Sequence, residues 1–186
     1  MSCIYLFISY KSFRGKLFLK VTKYPDAALR KKGSPVEKLS EDVFKLVDDM
    51  IETMIIEEGF ALAANQVGSL FRVFVINTTP HEDTPKPAAF INPEILNQEG
   101  TVVEEEGCLS FPKLYLRIKR ADKIRIRAKN LYNENLIYET NGLLARAIQH
   151  ETDHLNGILF IDHVDKAEEE KVKKYLDSLN SSGMHE

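Results

Sequence analysis

The sequence predicts an α+β fold: antiparallel strands packed around a central, candidate metal-binding helix, with a further helix at the C-terminal end. Three observations predict it. Val43, Val47, Met50 and Met54 repeat at helical spacing before Gly59. Short β-branched or alternating segments, Phe71–Ile76, Ala89–Ile95 and Lys123–Ala128, are set apart by turn-forming stretches. A second helical pattern, Leu143 to Asn156, carries two histidines four residues apart.

Composition narrows the class. The chain has 186 residues, with 44% hydrophobic and 28% charged side chains, the balance of a globular protein large enough to build one core. It carries 25 basic and 28 acidic residues, a net charge of −3, so no basic excess recommends nucleic acid as a partner. The apolar run Ile4–Ile8 falls far short of the roughly 20 residues of a membrane-spanning helix. Two cysteines, Cys3 and Cys108, make no disulfide framework, which suits a reducing compartment and a cytoplasmic location.

Residues 1–19 read as an N-terminal extension, 20–180 as a single catalytic domain and 181–186 as a tail. The extension is basic, without an acid, and rich in serine and aromatic residues. It is a targeting segment, which would move the protein to an organelle, an added strand, or a start assigned too far upstream.

The elements follow in order. Ser40 is placed to cap a helix, with Glu41 and Asp42 in its first turn and Gly59 as its stop. Phe71–Ile76 reads as a buried strand, and the proline- and acid-bearing stretch Thr78–Pro87 as a loop. Pro93 argues that Ala89–Ile95 lies at an edge or at a strand end. Cys108 falls between an acidic turn and a proline-bounded loop. Lys123–Ala128 alternates charged and apolar residues, as a half-exposed strand does. Gly142 closes a turn, Gly157 stops the following helix, and a last amphipathic helix runs from about Asp165 to Leu179.

His150-Glu151-Thr152-Asp153-His154 is the strongest local motif. Positions i and i+4 share a helix face, so both imidazoles reach one metal, and Glu151 lies beside the first ligand, ready to take a proton from water. A catalytic centre wants three protein ligands. The protease continuation H-E-x-x-H-x-x-G-x-x-H matches Gly157 but meets Phe160 where the last histidine belongs. Cys108, in Glu105-Glu106-Gly107-Cys108-Leu109-Ser110, is the candidate third ligand, its thiolate suiting Zn²⁺ or Fe²⁺. The run Gly59-Phe60-Ala61-Leu62-Ala63-Ala64-Asn65-Gln66, small residues ending in an amide, suits a narrow pocket lined by backbone.

These segments, in this order, resemble peptide deformylase, a family with G-x-G-x-A-A-x-Q, E-G-C-L-S and H-E-x-D-H segments. The last two match without departure, and in the first Ala61 stands where the family has glycine. The resemblance covers about Lys20 to Lys174. It implies removal of the formyl group from the N-terminal formyl-methionine of nascent polypeptides, releasing formate. It also implies one divalent metal, Fe²⁺ first with Zn²⁺ or Ni²⁺ as alternatives, held by Cys108, His150 and His154. Glu151 would be the general base and acid, with Gln66 and the Leu109 N–H as oxyanion donors. Gly59, Phe60, Ala61, Leu62, Leu143 and Ala147 are expected to line the substrate site. Glu106, Arg120, Arg146 and Asp153 are expected to support the ligands. The C-terminal helix could contact the ribosome.

Alternatives from other classes are another H-E-x-x-H hydrolase, a metal protein that only binds peptide N-termini, and a structural zinc domain. The last would need His81 or His163 as a fourth ligand. Ala61 admits two readings of the family glycine: a backbone with positive φ, or room for substrate.

Overall fold

In the computed structural model, residues 18–79, 82 and 84–182 are described. Cys3, His81, residues 183–186 of the tail and all but the last two residues of the extension lie outside them. Helix α1 spans Glu41–Ile56, α2 Gly142–Leu155 and α3 Glu169–Ser182. The strands are β1 Ala61–Ala63, β2 Val73–Asn77, β3 Pro87–Glu99, β4 Val102–Cys108, β5 Phe111–Arg120, β6 Lys123–Lys129 and β7 Asn135–Asn141. Five form one antiparallel sheet in the order β1-β2-β3-β6-β7, and β4 pairs with β5 in a separate hairpin.

Strand alternation divides the core into layers. On β2, Val73 and Val75 face α1 and pack with Val43, Val47, Met50 and Met54. Phe74 and Ile76 face the other way, onto Ala145, Ile148 and Leu155 of α2. The sheet is therefore filled between α1 and α2. A third cluster, Leu29, Phe111, Leu116, Ile118, Leu159 and Phe160, closes the hairpin against the C-terminal segment, with Val172 and Tyr175 of α3 at its border.

Several local expectations change. Ser40 takes the cap position of α1, but its side chain makes no capping bond. Gly59 does not supply the left-handed residue that ends α1. Glu58 does, at φ 53°. Its N–H donates to the Ile55 carbonyl (3.2 Å) and that of Gly59 to the Met54 carbonyl (2.8 Å), the paired closure of a Schellman end. Pro93 lies neither at an edge nor at a strand end. It falls inside β3 at a bulge, between Ile91 and Glu94, where pairing passes from β2 to β6; there no ladder N–H is required of it. Cys108 ends a strand rather than standing in a loop, because β4 and β5 form a hairpin joined by Leu109-Ser110. Gly142 opens α2 directly after β7 instead of closing a turn. Helix α3 begins later than Asp165, whose carboxylate accepts from the Ala167 N–H (2.9 Å) and holds a turn ahead of the helix.

Gly157 is fixed on two counts. Its φ is +74°, and a Cβ there would collide with the Arg30 carbonyl. It brings the end of α2 down onto the segment that begins at Ala27. At the other end of the described chain, Leu19 donates its N–H to the Thr53 hydroxyl of α1 (3.1 Å) and packs on the α1 side of the core.

Candidate metal centre and cleft

Three segments converge. Helix α2 presents His150 and His154 on one face, with ring centroids 4.9 Å apart, edge to face. The end of β4 brings in Cys108, whose Sγ lies 3.2 Å from His154 Nε2. One ligand atom from each of Cys108, His150 and His154 lies within 4.8 Å of the others, and among the described residues no other cluster of this kind forms. Metal–ligand bonds of 2.0–2.3 Å would place tetrahedral ligand atoms about 3.3–3.7 Å apart, so this donor set fits a divalent ion with little adjustment. His163 is engaged elsewhere, its Nε2 2.8 Å from Asp153 Oδ2.

Glu106 defines the state of His150. Its Oε2 lies 3.1 Å from His150 Nδ1. A carboxylate only accepts, so Nδ1 carries the proton and a neutral ring keeps Nε2 free for metal. Arg120 grips both Glu106 oxygens, at 3.1 and 3.2 Å, and also binds Asp153. Arg146 adds a bond to the Glu105 carbonyl (2.9 Å) and reaches Glu106 at 3.4 Å. Burial works against the Glu106 charge, but His150 and Arg120 hold its carboxyl down at about 2. Burial also opposes the His150 cation, yet without a metal Cys108 and Glu106 outweigh it and hold that ring well above the ordinary histidine range, so a bound metal would displace the Nε2 proton while Nδ1 keeps its bond to Glu106. Burial, then the neighbouring His150, drives His154 well below it.

Glu151 is buried on the same helix, and its Oε2 has no hydrogen-bond partner among the described residues. Burial pushes its carboxyl up to about 7, a value suited to taking and returning a proton near neutrality. Gln66 is held from both ends of its amide. Oε1 accepts from the Ala63 N–H (2.8 Å), while Nε2 donates to the Ser110 hydroxyl (3.1 Å) and approaches Cys108 Sγ at 3.5 Å.

A cleft of about 610 Å³ opens over this cluster. Cys108, His150, Glu151, Gln66, Leu109, Glu106 and Arg146 line it, as do Gly59, Phe60, Ala61, Leu143 and Ala147. Leu62 does not. Along β1 the side chains alternate, so Leu62 turns away from the cleft into the α1 layer and is fully buried. Leu143 stands at the cleft with its side chain half exposed. Sequence reasoning passed over Lys23, Glu57, Glu58 and Tyr115, which also line the cleft, and over buried Asn65. For Tyr115 a signal was present. β5 reads Leu114-Tyr115-Leu116-Arg117-Ile118, and the strict alternation marks Tyr115 as outward-facing.

The family model described as polypeptide deformylase matches residues 18–170. Peptide deformylase of Thermodesulfovibrio yellowstonii is 43% identical over 156 residues, 84% of this chain and 94% of that protein. That of Helicobacter hepaticus is 45% identical over 165 residues, 87% of this chain and 91% of its own. A crystal structure of a peptide deformylase from Legionella pneumophila superposes with a TM-score of 0.80 at 34% identity, covering 91% of this chain and 99% of that one. The Thermotoga maritima peptide deformylase structure gives 0.75 at 41% identity, over 80% and 99%. With the cleft, the Cys-His-His cluster and these matches pointing the same way, the chain belongs to the peptide deformylase family.

Proposed function

We propose that this chain hydrolyses the formyl group from the N-terminal formyl-methionine of nascent polypeptides, with Cys108, His150 and His154 holding one divalent metal. The observation that carries the reading is a buried, unpartnered carboxylate oxygen of Glu151 lining the same cleft as Cys108 and His150. Fe²⁺ is the first choice, with Zn²⁺ and Ni²⁺ as alternatives, since one thiolate with two imidazoles suits all three. When bound, the ion acidifies a water and polarises the formyl carbonyl.

The chain's own groups do the rest. Glu151 accepts a proton as water oxygen bonds to the formyl carbon, then passes it to the peptide nitrogen as the C–N bond breaks. The products are formate and a free amino terminus. Gln66 Nε2 and the Leu109 N–H are the donors for the oxyanion, and Ser110 holds the Gln66 amide in place. Phe60, Leu143 and Ala147 supply apolar surface for the methionine side chain. Glu106, Arg120, Arg146 and Asp153 orient His150 and the ligand helix.

The substrate places the activity beside translation, in the cytoplasm, or in an organelle if the extension is a targeting segment. The charged face of α3, with Glu170, Lys171, Lys173 and Lys174, is the surface we assign to the ribosome. No described helix is long and apolar enough to cross a membrane. The test is formate release from formyl-Met-Ala-Ser by anaerobically prepared protein, with metal analysis of the same sample. Cys108→Ala should lose metal and turnover together. Full metal occupancy in that variant would remove Cys108 from the ligand set.

A further inference from the structure

Asn65 and Gln66 are adjacent, yet their side chains bind different halves of the metal cluster. Gln66 reaches the hairpin, at Ser110 and Cys108. Asn65 reaches the ligand helix, its Nδ2 donating to the His154 carbonyl (2.5 Å) and more weakly to the Leu29 carbonyl (3.3 Å). Both neighbours only accept, so chemistry fixes the amide with its nitrogen towards them. An aspartate could not take its place, because its oxygens would face two carbonyls. Asn65 is fully buried, and its Oδ1 has no partner among the described residues. A buried amide left half satisfied is disfavoured unless its bonded half is needed.

The end of α2 is also closed by other groups. The Gly157 N–H donates to the His154 carbonyl (2.9 Å), and the Gly33 N–H to that of Leu155 (2.9 Å). Arg72 donates to the Leu155 carbonyl (3.3 Å) and to Asn156 Oδ1 (2.9 Å). These contacts hold the helix end, but none continues to Cys108. The route through Asn65 does: His154 carbonyl, Asn65 amide, one peptide unit, Gln66 amide, Cys108 Sγ. The backbone of this turn is itself anchored, since the Gln66 carbonyl accepts from the Thr22 N–H (2.7 Å) and the Ala64 carbonyl from the Ser69 N–H (3.0 Å).

We infer that Asn65 is a positioning residue for the metal centre, setting the separation of His154 and Cys108 by tying the ligand helix to the segment that holds the ligand thiol. The inference rests on Cys108, His150 and His154 being the ligands. That premise fails separately, if unaltered protein loaded with Co²⁺ lacks thiolate-to-cobalt charge-transfer absorption.

The experiment compares Asn65→Leu, Asn65→Ser and Arg72→Met, each loaded with Co²⁺. Its readouts are the visible spectrum, the rate of Co²⁺ release to a chelator, the melting temperature of the metal-free protein, and kcat and KM separately. The Asn65 variants should shift the ligand-field bands and release metal at least about tenfold faster, the usual scale for a lost outer contact. Their kcat should fall by a larger factor than KM rises. Arg72→Met should lower the melting temperature while leaving spectrum and release within about twofold. Unshifted spectra and unchanged release in a folded Asn65 variant would overturn the inference. Equal changes in Arg72→Met would too, as would failure of both Asn65 variants to fold while Arg72→Met folds.

Discussion

Helices α1 and α2 have similar lengths, 16 and 14 residues, and cover opposite faces of the same sheet, yet they bury different chemistry. α1 buries Val43, Val47, Met50, Ile51 and Met54, with Thr53 as the polar exception. The Thr53 hydroxyl donates within the helix to the Asp49 carbonyl at 2.7 Å and accepts from the Leu19 N–H. α2 buries Arg146, Gln149, His150, Glu151, Thr152 and His154 beside Ala145, Ile148 and Leu155. Burying such groups is unfavourable unless they find partners, and for three of them the partners include distant segments. Gln149 exchanges bonds with the Ala121 backbone (2.9 and 3.0 Å), His150 meets Glu106, and Arg146 meets the Glu105 carbonyl. Apolar burial is the main force that places α1. Gln149, His150 and Arg146 of α2 gain these partners only once the hairpin and the β5–β6 connection have closed over it, while Glu151 Oε2, Thr152 Oγ1 and His154 Nδ1 find none among the described residues.

The comparison makes opposite forecasts for the two helices. Glu151→Gln keeps the shape of α2 and the ligands, so metal content should persist while turnover falls at least about 10²-fold, the scale of a lost general base. Metal loss as severe as in His150→Ala would instead make Glu151 a structural residue. Met50→Ala on α1 should do the reverse. A fully buried methionine truncated to alanine costs about 2–5 kcal/mol of stability, and kcat/KM of the folded fraction should be unchanged. Denaturant unfolding read beside formate release separates the two effects. A drop in kcat for Met50→Ala would mean that the layers are coupled through the sheet.

Glu106→Gln probes the polar partners of α2 directly. The amide can still accept from His150, but the charge that pairs with Arg120 is gone. Metal affinity should fall about 10–100-fold, the usual cost of a lost outer carboxylate, with a smaller change in methionine-peptide KM. Chelator competition measures it. Unaltered affinity would show that Asp153 alone suffices to hold Arg120.

What was legible in the sequence follows the same division. The α1 stripe could be read because core packing imposes a local period, and the two histidines because four residues apart on a helix is itself a local spacing. The hairpin could not be read as easily. β4 carries Glu104, Glu105 and Glu106 in succession and shows no apolar alternation, because its identity is set by pairing with β5. β7 was missed for a similar reason, since none of its residues is fully buried. β5 held an unused signal. Leu114, Leu116, Ile118 and Arg120 share the inward face of one strand, so period two alone places an arginine in the core and asks for its carboxylate partners. The same period would have removed Leu62 from the substrate site. Asn65 left no local trace, since its partners lie 36 and 89 residues away.

Ala61 offers the smallest and sharpest test, because the structure separates the two readings of the family glycine. Ala61 lies in β1, paired antiparallel with Ile76, and is not among the residues of positive φ. An extended backbone asks nothing special of glycine, so the remaining reading is room: the Ala61 methyl group borders the cleft. Ala61→Gly should therefore raise kcat/KM several-fold, through KM rather than kcat, with metal content unchanged. It should also lower stability by about 0.5–1 kcal/mol, since glycine in a strand loses more conformational freedom on folding. The opposed signs make the result hard to mimic, because a general loosening of the fold would lower both quantities together. A gain in kcat at constant KM would mean that the methyl group acts on the reacting atoms. No gain at all in an active enzyme would mean that the cleft already accommodates it.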